Sequence, residues 1–411
     1  MNDKDLYSQI LGIKSPFSVE SVNLDLEGKK VEVFLGRISN VMLPCPECES
    51  YCTIHDHRER SWRHLDTCQL KTILTAFVPR VRCEKHGVHQ VKVPWGSPGS
   101  PFTALFEKLI IDWLKITTVT SVAKMLGLTW DQVDGVQARA VKRGLARRVT
   151  KPTGHVGIDE TSFQKKHEYV TVIQDKERGI VLEVLDGRKQ TVVQEYFESW
   201  TDAEKANVLA VTMDMWPAYI NAVSETFPDA HAKICFDRFH VSQHFCNAVN
   251  KVRSKEHRAL SAKGDNRLAK TKFDWLKTAS NLDNRSRQEF IRLTKSSLKT
   301  ARVWAVKEAA SKLWKYRSLG WAKKSWTALI LWIKRFRQPE IKKVGAMVEK
   351  HLWGILNAIR HGVSNAKMES INTKIQKMKN EACGFRNRAR FRNAILFRFG
   401  GLDLTPEGLP T

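Results

Sequence analysis

The run from 154 to 188, GHVGIDETSFQKKHEYVTVIQDKERGIVLEVLDGR, constrains the fold of this chain more than any other stretch. It reads as three successive strands. The last two, 169–174 and 179–185, are joined by the turn from Asp175 to Gly179. In the first, alternation places Val156 and Ile158 on one face and Gly157, Asp159 and Thr161 on the other. A carboxylate inside a strand that is otherwise apolar is costly unless something pairs with it. A helix through Val192, Val193, Tyr196 and Phe197 is expected next, followed by the apolar strand VLAVTM at 208–213, which ends at Asp214. A fifth strand is expected at 231–236, followed by Asp237 and His240.

An acid in the first strand and one at the end of the fourth become neighbours if those strands lie side by side. Two such carboxylates repel, and divalent metal relieves the repulsion. Two Mg²⁺ ions roughly 3.5–4 Å apart then serve an in-line phosphoryl displacement. A third carboxylate is expected late in the chain. In SNAKMESINTKI, 364–375, Met368, Ile371, Ile375 and Met378 form an apolar stripe, beside a polar one of Asn365, Glu369, Asn372 and Gln376. Glu369 is the third candidate, with amide side chains around it. Asp237 either joins the metals or caps a helix. His240 either orients phosphate or a metal-bound water, or donates a core hydrogen bond.

The N-terminal part carries different chemistry. Residues 22–35 alternate about Glu27-Gly28-Lys29-Lys30, a hairpin signal. Cys45-Pro-Glu-Cys48 and Cys83-Glu-Lys-His86 then supply four N/S ligands for tetrahedral, structural Zn²⁺. Cys52, Cys68, His55, His57 and His64 compete for those places. After the turn-rich joint 94–101, Phe102, Leu105, Phe106, Leu109, Ile110, Trp113 and Leu114 recur at helical spacing. Thr120 and Thr129 are expected N-caps of two helices joined at Gly127, a helix-turn-helix pattern. Its second helix exits through Arg139, Lys142, Arg143, Arg147 and Arg148, placed to meet phosphates.

Charge agrees with that reading. The chain has 68 Lys and Arg against 43 Asp and Glu, a net +25, so a polyanion, DNA, is the expected partner. No apolar run is long enough to span a bilayer, and MNDKDLYSQI lacks a secretory pattern, so a cytoplasmic, nucleoid-associated protein is expected. From Arg238 to about Lys350 the chain reads as helix rich in Lys, Arg and Trp. Trp304, Trp314, Trp326 and Trp332 either fill a core or stack on bases. The tail FRNRARFRNAILFR, 385–398, is basic and amphipathic, suited to DNA or to solvent.

Taken together, Gly157-Ile-Asp159-Glu-Thr, Met213-Asp214-Met-Trp-Pro-Ala-Tyr219, Phe236-Asp237-Arg-Phe-His240 and the stretch around Glu369, behind a zinc module and a helix-turn-helix, resemble the DDE transposases of the bacterial insertion-sequence L-three (ISL3) family. The resemblance implies an α/β fold with a ribonuclease-H-like catalytic core, interrupted by an all-helical insertion. It implies Asp159, Asp214 and Glu369 as the metal-binding triad, with Mg²⁺ or Mn²⁺. It also implies binding of terminal inverted repeats, cleavage there, joining of freed 3′ ends to target DNA, and a homodimer that pairs two ends. Some members carry cysteine where this chain has His86. The expected division is a zinc-binding domain at 1–96, a helix-turn-helix domain at 97–150, the first part of the core at 151–250, a helical insertion at 251–350, and the final core helix with a basic segment at 351–411. The alternative is a sequence-specific DNA-binding regulator attached to an inactive core.

Overall fold

The computed structural model describes residues 2–13, 15–37, 42–148, 153–164, 168–278, 284–363, 366–407 and 409, without the side chains of 284–287 and 366–369. The chain forms two compact units, 1–148 with 402–411, and 149–401.

In the first unit, helix α1 (Asp3–Ile10) precedes strands β1 (Phe17–Asp25) and β2 (Lys30–Arg37). The expected hairpin forms: Asp25 faces Lys30, and the Asp25 carboxylate accepts from the Gly28 amide at 2.7 Å. Strands β3 (Leu43–Pro44), β4 (Tyr51–Arg63), β5 (Lys71–Cys83) and β6 (Gly87–Gln90) complete a sheet of order β1-β2-β5-β4-β3, with β6 paired to β5. Alternation along β5 puts Leu74, Ala76 and Val78 into a core with Val33, Trp62 and Trp95.

Three helices follow, α2 (Ala104–Leu114), α3 (Val119–Leu126) and α4 (Trp130–Arg147). Thr129 caps α4 as expected, in a capping box with Gln132, and Gly127 closes α3 at φ 61°. The cap of α3 is Thr118 rather than Thr120: its hydroxyl accepts from the Ser121 amide, so the helix begins early enough to bury Val122 and Ala123 in its second turn. Glu107, only 1% exposed, ties α2 to α4. It accepts from Arg139 Nη2 at 2.6 Å and from the Ser100 hydroxyl at 2.8 Å. Breaking such a buried pair is expensive because it strands a charge.

The second unit is built on strands β7 (His155–Gln164), β8 (Glu168–Asp175), β9 (Ile180–Asp186), β10 (Ala210–Met213) and β11 (Ile234–Phe236), in the order β11-β10-β7-β8-β9. β7, β8 and β9 pair antiparallel, whereas β10 lies parallel to both β7 and β11. The first and fourth strands of the unit are therefore neighbours, as the positions of the acids required. Helices α5 (Gln190–Glu198), α6 (Asp202–Asn207) and α7 (Pro217–Thr226) flank β10 in the chain. The fifth strand is half as long as expected, because 230–233 coil into the short helix α8 (Ala230–Lys233) before β11.

A long helix, α9 (Arg238–Ser261), leaves β11, and α10 (Lys272–Leu276), α11 (Asn284–Thr294), α12 (Lys299–Leu313), α13 (Leu319–Lys334) and α14 (Pro339–Arg360) follow. Trp275 and Trp326 are fully buried there, and Trp304 and Trp314 pack against the same core. α15 (Ala366–Glu381) returns to β7, and α16 (Arg388–Phe399) packs on β9. Its arginines are engaged: Arg392 makes a two-point bridge to Glu183 at 2.6 and 2.7 Å, and Arg388 pairs with Asp186 and Glu168. Among the described residues, no helix is long and apolar enough to cross a membrane.

Two predictions follow from this packing. A Cβ on Gly354 would lie 2.5 Å from the Phe236 ring, so Gly354→Val should cost roughly 1–3 kcal/mol, read as a lowered midpoint in denaturant. His64 is buried, with Nδ1 2.9 Å from the Thr103 hydroxyl, and burial depresses its pKa from 6.5 to about 4. The unfolded chain therefore binds this proton first, so its stabilising contribution is complete above pH 6.5 and falls as pH drops toward 4, by about 3 kcal/mol in all. His64→Gln should flatten the stability profile across that window; an unchanged slope would show that His64 titrates normally.

Candidate active site and zinc cluster

Cys45 and Cys48 flank a tight turn after β3, in which the Glu49 amide donates to the Cys45 carbonyl at 2.9 Å. Cys83 ends β5, and His86 lies in the turn before Gly87, at φ 78°. The four ligand atoms all lie within 4.8 Å of one another. Cys48 Sγ is 3.7 Å from Cys83 Sγ, and His86 Nδ1 is 3.6 Å from Cys83 Sγ and 3.8 Å from Cys45 Sγ. Tetrahedral zinc with Zn–S near 2.3 Å and Zn–N near 2.0 Å demands edges of about 3.5–3.8 Å, so the residues fit the ion. The hydroxyl and amide of Ser50 pull the Cys48 thiol down to about 6, toward the thiolate a metal needs. Four protein ligands fill the tetrahedron, which marks a structural site.

The competing residues are elsewhere. His64 bonds Thr103, His55 sits 3.3 Å from Asp56, Cys52 points at the Ser50 carbonyl, His57 is exposed on β4 and Cys68 is exposed.

Of the five cations expected to meet phosphates, Lys142 is exposed. Arg139 and Arg143 face Glu107, at 2.6 and 3.9 Å, and Arg143 also donates to the Leu404 carbonyl. Arg147 pairs with Asp403 at 3.0 Å, and Arg148 ends α4 as its C-cap. The basic exit of the helix thus serves partly to hold the first unit together.

The second cluster lies where β7, β10 and α9 meet. Asp159 comes from the middle of β7, Asp214 from the end of β10, and Asp237 from the N-cap of α9. All three converge on His240, one turn into α9. Its Nε2 is 3.8 Å from Asp159 Oδ1 and 3.8 Å from Asp237 Oδ2, and its Nδ1 is 3.8 Å from Asp214 Oδ2. These separations are too long for hydrogen bonds. A single imidazole cannot neutralise three carboxylates, so negative potential accumulates between them.

The remaining contacts fix each carboxylate. Asp159 Oδ1 accepts from the Glu160 amide at 2.8 Å and Oδ2 from Asn372 Nδ2 at 2.6 Å. Asp214 accepts from the Met215 amide at 2.6 Å, and Asp237 from the Phe239 amide at 2.7 Å, so Asp237 caps its helix while still facing the cluster. Burial raises the Asp159 carboxyl to about 6, opposed by His240 and the Glu160 amide and aided by Asp237 and Asp214. Burial raises Asp237 too. Burial thus disfavours the charged forms of Asp159 and Asp237, and a cation beside them would favour those forms.

Glu369 belongs to α15, one turn before Asn372; its side chain and all of Asn365 lie outside the described residues. Asn372 Oδ1 is buried with no hydrogen-bond partner among the described residues, a free oxygen beside the carboxylates. The donor set is almost wholly oxygen, the kind that hard divalent cations take.

Sequence reasoning passed over Lys176, which is buried and held near 8 by burial, against the fields of Asp237, Cys235 and Asp159. Its place after Asp175 at a hairpin gave no signal, since turn lysines are usually exposed. Asp175 itself behaves as a turn residue, accepting from the Glu177 and Arg178 amides at 3.0 and 2.9 Å.

Comparison with known proteins agrees with this layout. Residues 156–395 match a family model described as a transposase, of the ISL3 group; residues 43–86 match the zinc-finger of transposase IS204/IS1001/IS1096/IS1165; and residues 91–141 match the helix-turn-helix domain of transposase family ISL3. The transposase for insertion sequence element IS1557 of Mycobacterium tuberculosis is 25% identical over 94% of this chain and 93% of its own length. The transposase for insertion sequence element IS1001 of Bordetella parapertussis is 25% identical over 98% of this chain and 99% of its own. The zinc-finger match begins just before Cys45 and ends on His86, and the transposase match spans every acid of the second cluster. This chain belongs to the ISL3 family of insertion-sequence transposases, with a zinc ribbon and a DNA-binding helix-turn-helix.

Proposed function

We propose that Asp159, Asp214 and Glu369 are the metal-binding triad of this transposase, on a ribonuclease-H-like core into which the helical residues 251–350 are inserted. The observation that carries the reading is the convergence of Asp159, Asp214 and Asp237 on His240, each 3.8 Å from a ring nitrogen. Three carboxylates set around one imidazole, two of them pushed toward neutrality by burial, suit divalent cations, which would draw them together, better than they suit stability. Mg²⁺ or Mn²⁺, when bound, supplies activation of the attacking oxygen and charge relief at the leaving oxygen.

The chain's own residues prepare that chemistry. Asn372 and the Glu160 amide hold the two oxygens of Asp159, which removes the carboxylate's rotational freedom before substrate arrives. The Met215 amide does the same for Asp214. Glu369, three residues before Asn372 on α15, supplies the third carboxylate from the same helix. His240 and Asp237 act as accessories: the imidazole, equidistant from three acids, orients a phosphate oxygen or a water. Lys176 beneath them offsets part of the charge when the metals are absent.

The substrates are the terminal inverted repeats of an insertion sequence and a target DNA. Water cleaves the phosphodiester at the end of the element, and the freed 3′-hydroxyl attacks target DNA at the same site. The helix-turn-helix provides end recognition through α4, with Lys142 its exposed cation. Pairing of two ends calls for a homodimer.

Asp159→Asn and Asp214→Asn should each lower metal-dependent cleavage of a labelled terminal-repeat duplex by about a thousandfold or more, leaving duplex binding within twofold of wild type. Retained cleavage in either variant would remove that residue from the triad. Binding without cleavage by the wild type, with Mg²⁺ or Mn²⁺ present, would favour the regulator with an inactive core. For the first cluster, metal analysis should find one zinc per chain, lost in Cys45→Ser and kept in Cys52→Ser. Zinc retained in Cys45→Ser would overturn the ligand set.

A further inference from the structure

A cavity of about 1200 Å³ opens between the C-terminal part of α9, the start of α12 and the joint between α13 and α14. Its lining carries six cations, Lys255, Lys263, Lys299, Arg302, Arg335 and Arg337, against two carboxylates, Glu256 and Glu340. Both carboxylates are engaged within the fold. Glu256 caps α12, accepting from the Lys299 and Thr300 amides at 2.8 and 2.7 Å and from the Thr300 hydroxyl at 2.6 Å. Glu340 pairs with Lys255. The side chains of Lys263, Lys299, Arg302, Arg335 and Arg337 have no ion pair among the described residues. Clustered around a concave, low-dielectric wall, they concentrate positive potential and select a polyanion.

The rim adds a second kind of contact. α13 buries Trp326, Leu329, Ile330 and Ile333, but leaves the Trp332 indole 39% exposed, braced edge-on by Phe336 with ring centroids 5.8 Å apart. An exposed aromatic face beside phosphate-binding cations suits a stacked nucleobase. A base within a duplex has both faces occupied, so the partner that uses cations and indole together is unpaired DNA. The groove also has a fixed relation to the candidate active site. His240 and Lys255 lie on the same helix, about 22 Å apart along its axis, a distance that a few nucleotides of extended strand can span.

We propose that this groove binds single-stranded DNA, with the phosphates on Arg302, Arg335, Arg337 and their neighbouring lysines and an unpaired base on Trp332. The proposal takes only the identity of the polymer from the transposase reading; it does not depend on the triad. The groove holds a strand that has left its complement, and so keeps an opened end from re-pairing.

The test uses the full chain without divalent metal, so cleavage plays no part. A fluorescent single-stranded oligonucleotide of arbitrary sequence is titrated against wild type, Trp332→Ala, and the double variant Arg335→Ala with Arg337→Ala, across a range of salt. Trp332→Ala should weaken binding about tenfold. The double variant should reduce the slope of log affinity against log salt by roughly 1.4, two phosphate contacts' worth for a single strand. Both variants should keep wild-type affinity for a terminal-repeat duplex. In parallel, ultraviolet cross-linking of an iododeoxyuridine oligonucleotide to wild type should map to the α13 peptide containing Trp332. Unchanged affinity and salt slope in both variants, or cross-links confined to other peptides, would overturn the proposal. If a substitution lowers thermal stability, the cross-link position on the intact wild type still decides. Failure of the triad would appear instead as loss of cleavage with this binding untouched.

Discussion

The mutual repulsion of Asp159, Asp214 and Asp237 is the constraint around which the second unit is organised. Each acid alone would relax into solvent, yet each is anchored by a different element that cannot move independently. Asp159 is fixed by the pairing of β7 between β8 and β10, Asp214 by the parallel register that sets Thr212 opposite Gly157, and Asp237 by its duty as N-cap of α9. The Asp237 amide also donates to the Met213 carbonyl at 3.0 Å, which locks the ends of the second and third of these elements to each other. Backbone hydrogen bonds thus carry the energetic burden of the cluster. This is the arrangement a preorganised cation site requires, since the cost of gathering the charges is met during folding and not during binding.

The return of α15 to β7 is the second condition, and it rests on polar rather than apolar register. Asn372 donates to Asp159 at 2.6 Å, Gln376 to the Thr161 hydroxyl at 2.7 Å, and Lys379 to the Ser162 carbonyl at 2.8 Å. Positions 372, 376 and 379 recur at i, i+4 and i+7, one helix face laid along one strand. Ile371, Ile375 and Met378 are buried on the neighbouring face. An apolar stripe alone tolerates sliding, because one methyl group substitutes for another. Three directional bonds do not, so they set the rotation of the helix against the strand.

Much of this was legible in the sequence, and the misses have physical causes. The succession of strands from 155 to 213, the β1–β2 hairpin and the helices after residue 102 follow from periodicity and turn chemistry, which are local. Asp159 and Asp214 stood out because a charge in an apolar strand violates that local pattern. Asp237 and His240 stood open between two uses, and the geometry shows Asp237 capping α9 while its carboxylate faces His240. What periodicity could not reveal is partner choice across long separations. Arg139 looked free for phosphate, but Glu107, many residues earlier and fully buried, takes it; Arg388 and Arg392 likewise belong to the acids of β8 and β9. Thr118 displaced Thr120 as a cap because three threonines in four residues offer equal local chemistry, and burial of Val122 and Ala123 chose among them.

The same partner choice explains why a net charge of +25 says little by itself about where DNA lies. Arg139, Arg143, Arg147, Arg388 and Arg392 are all committed to intramolecular acids, and those pairs stiffen the elements that carry them. The available positive charge is what remains after these commitments. Around α9, α12 and the α13–α14 joint the fold does the opposite, directing its two carboxylates inward to a helix cap and a lysine and leaving arginines at the rim. A surface of this kind lowers stability through self-repulsion unless an anion covers it. The distinction between arginines that build the protein and arginines that meet its substrate is therefore written in the placement of glutamates.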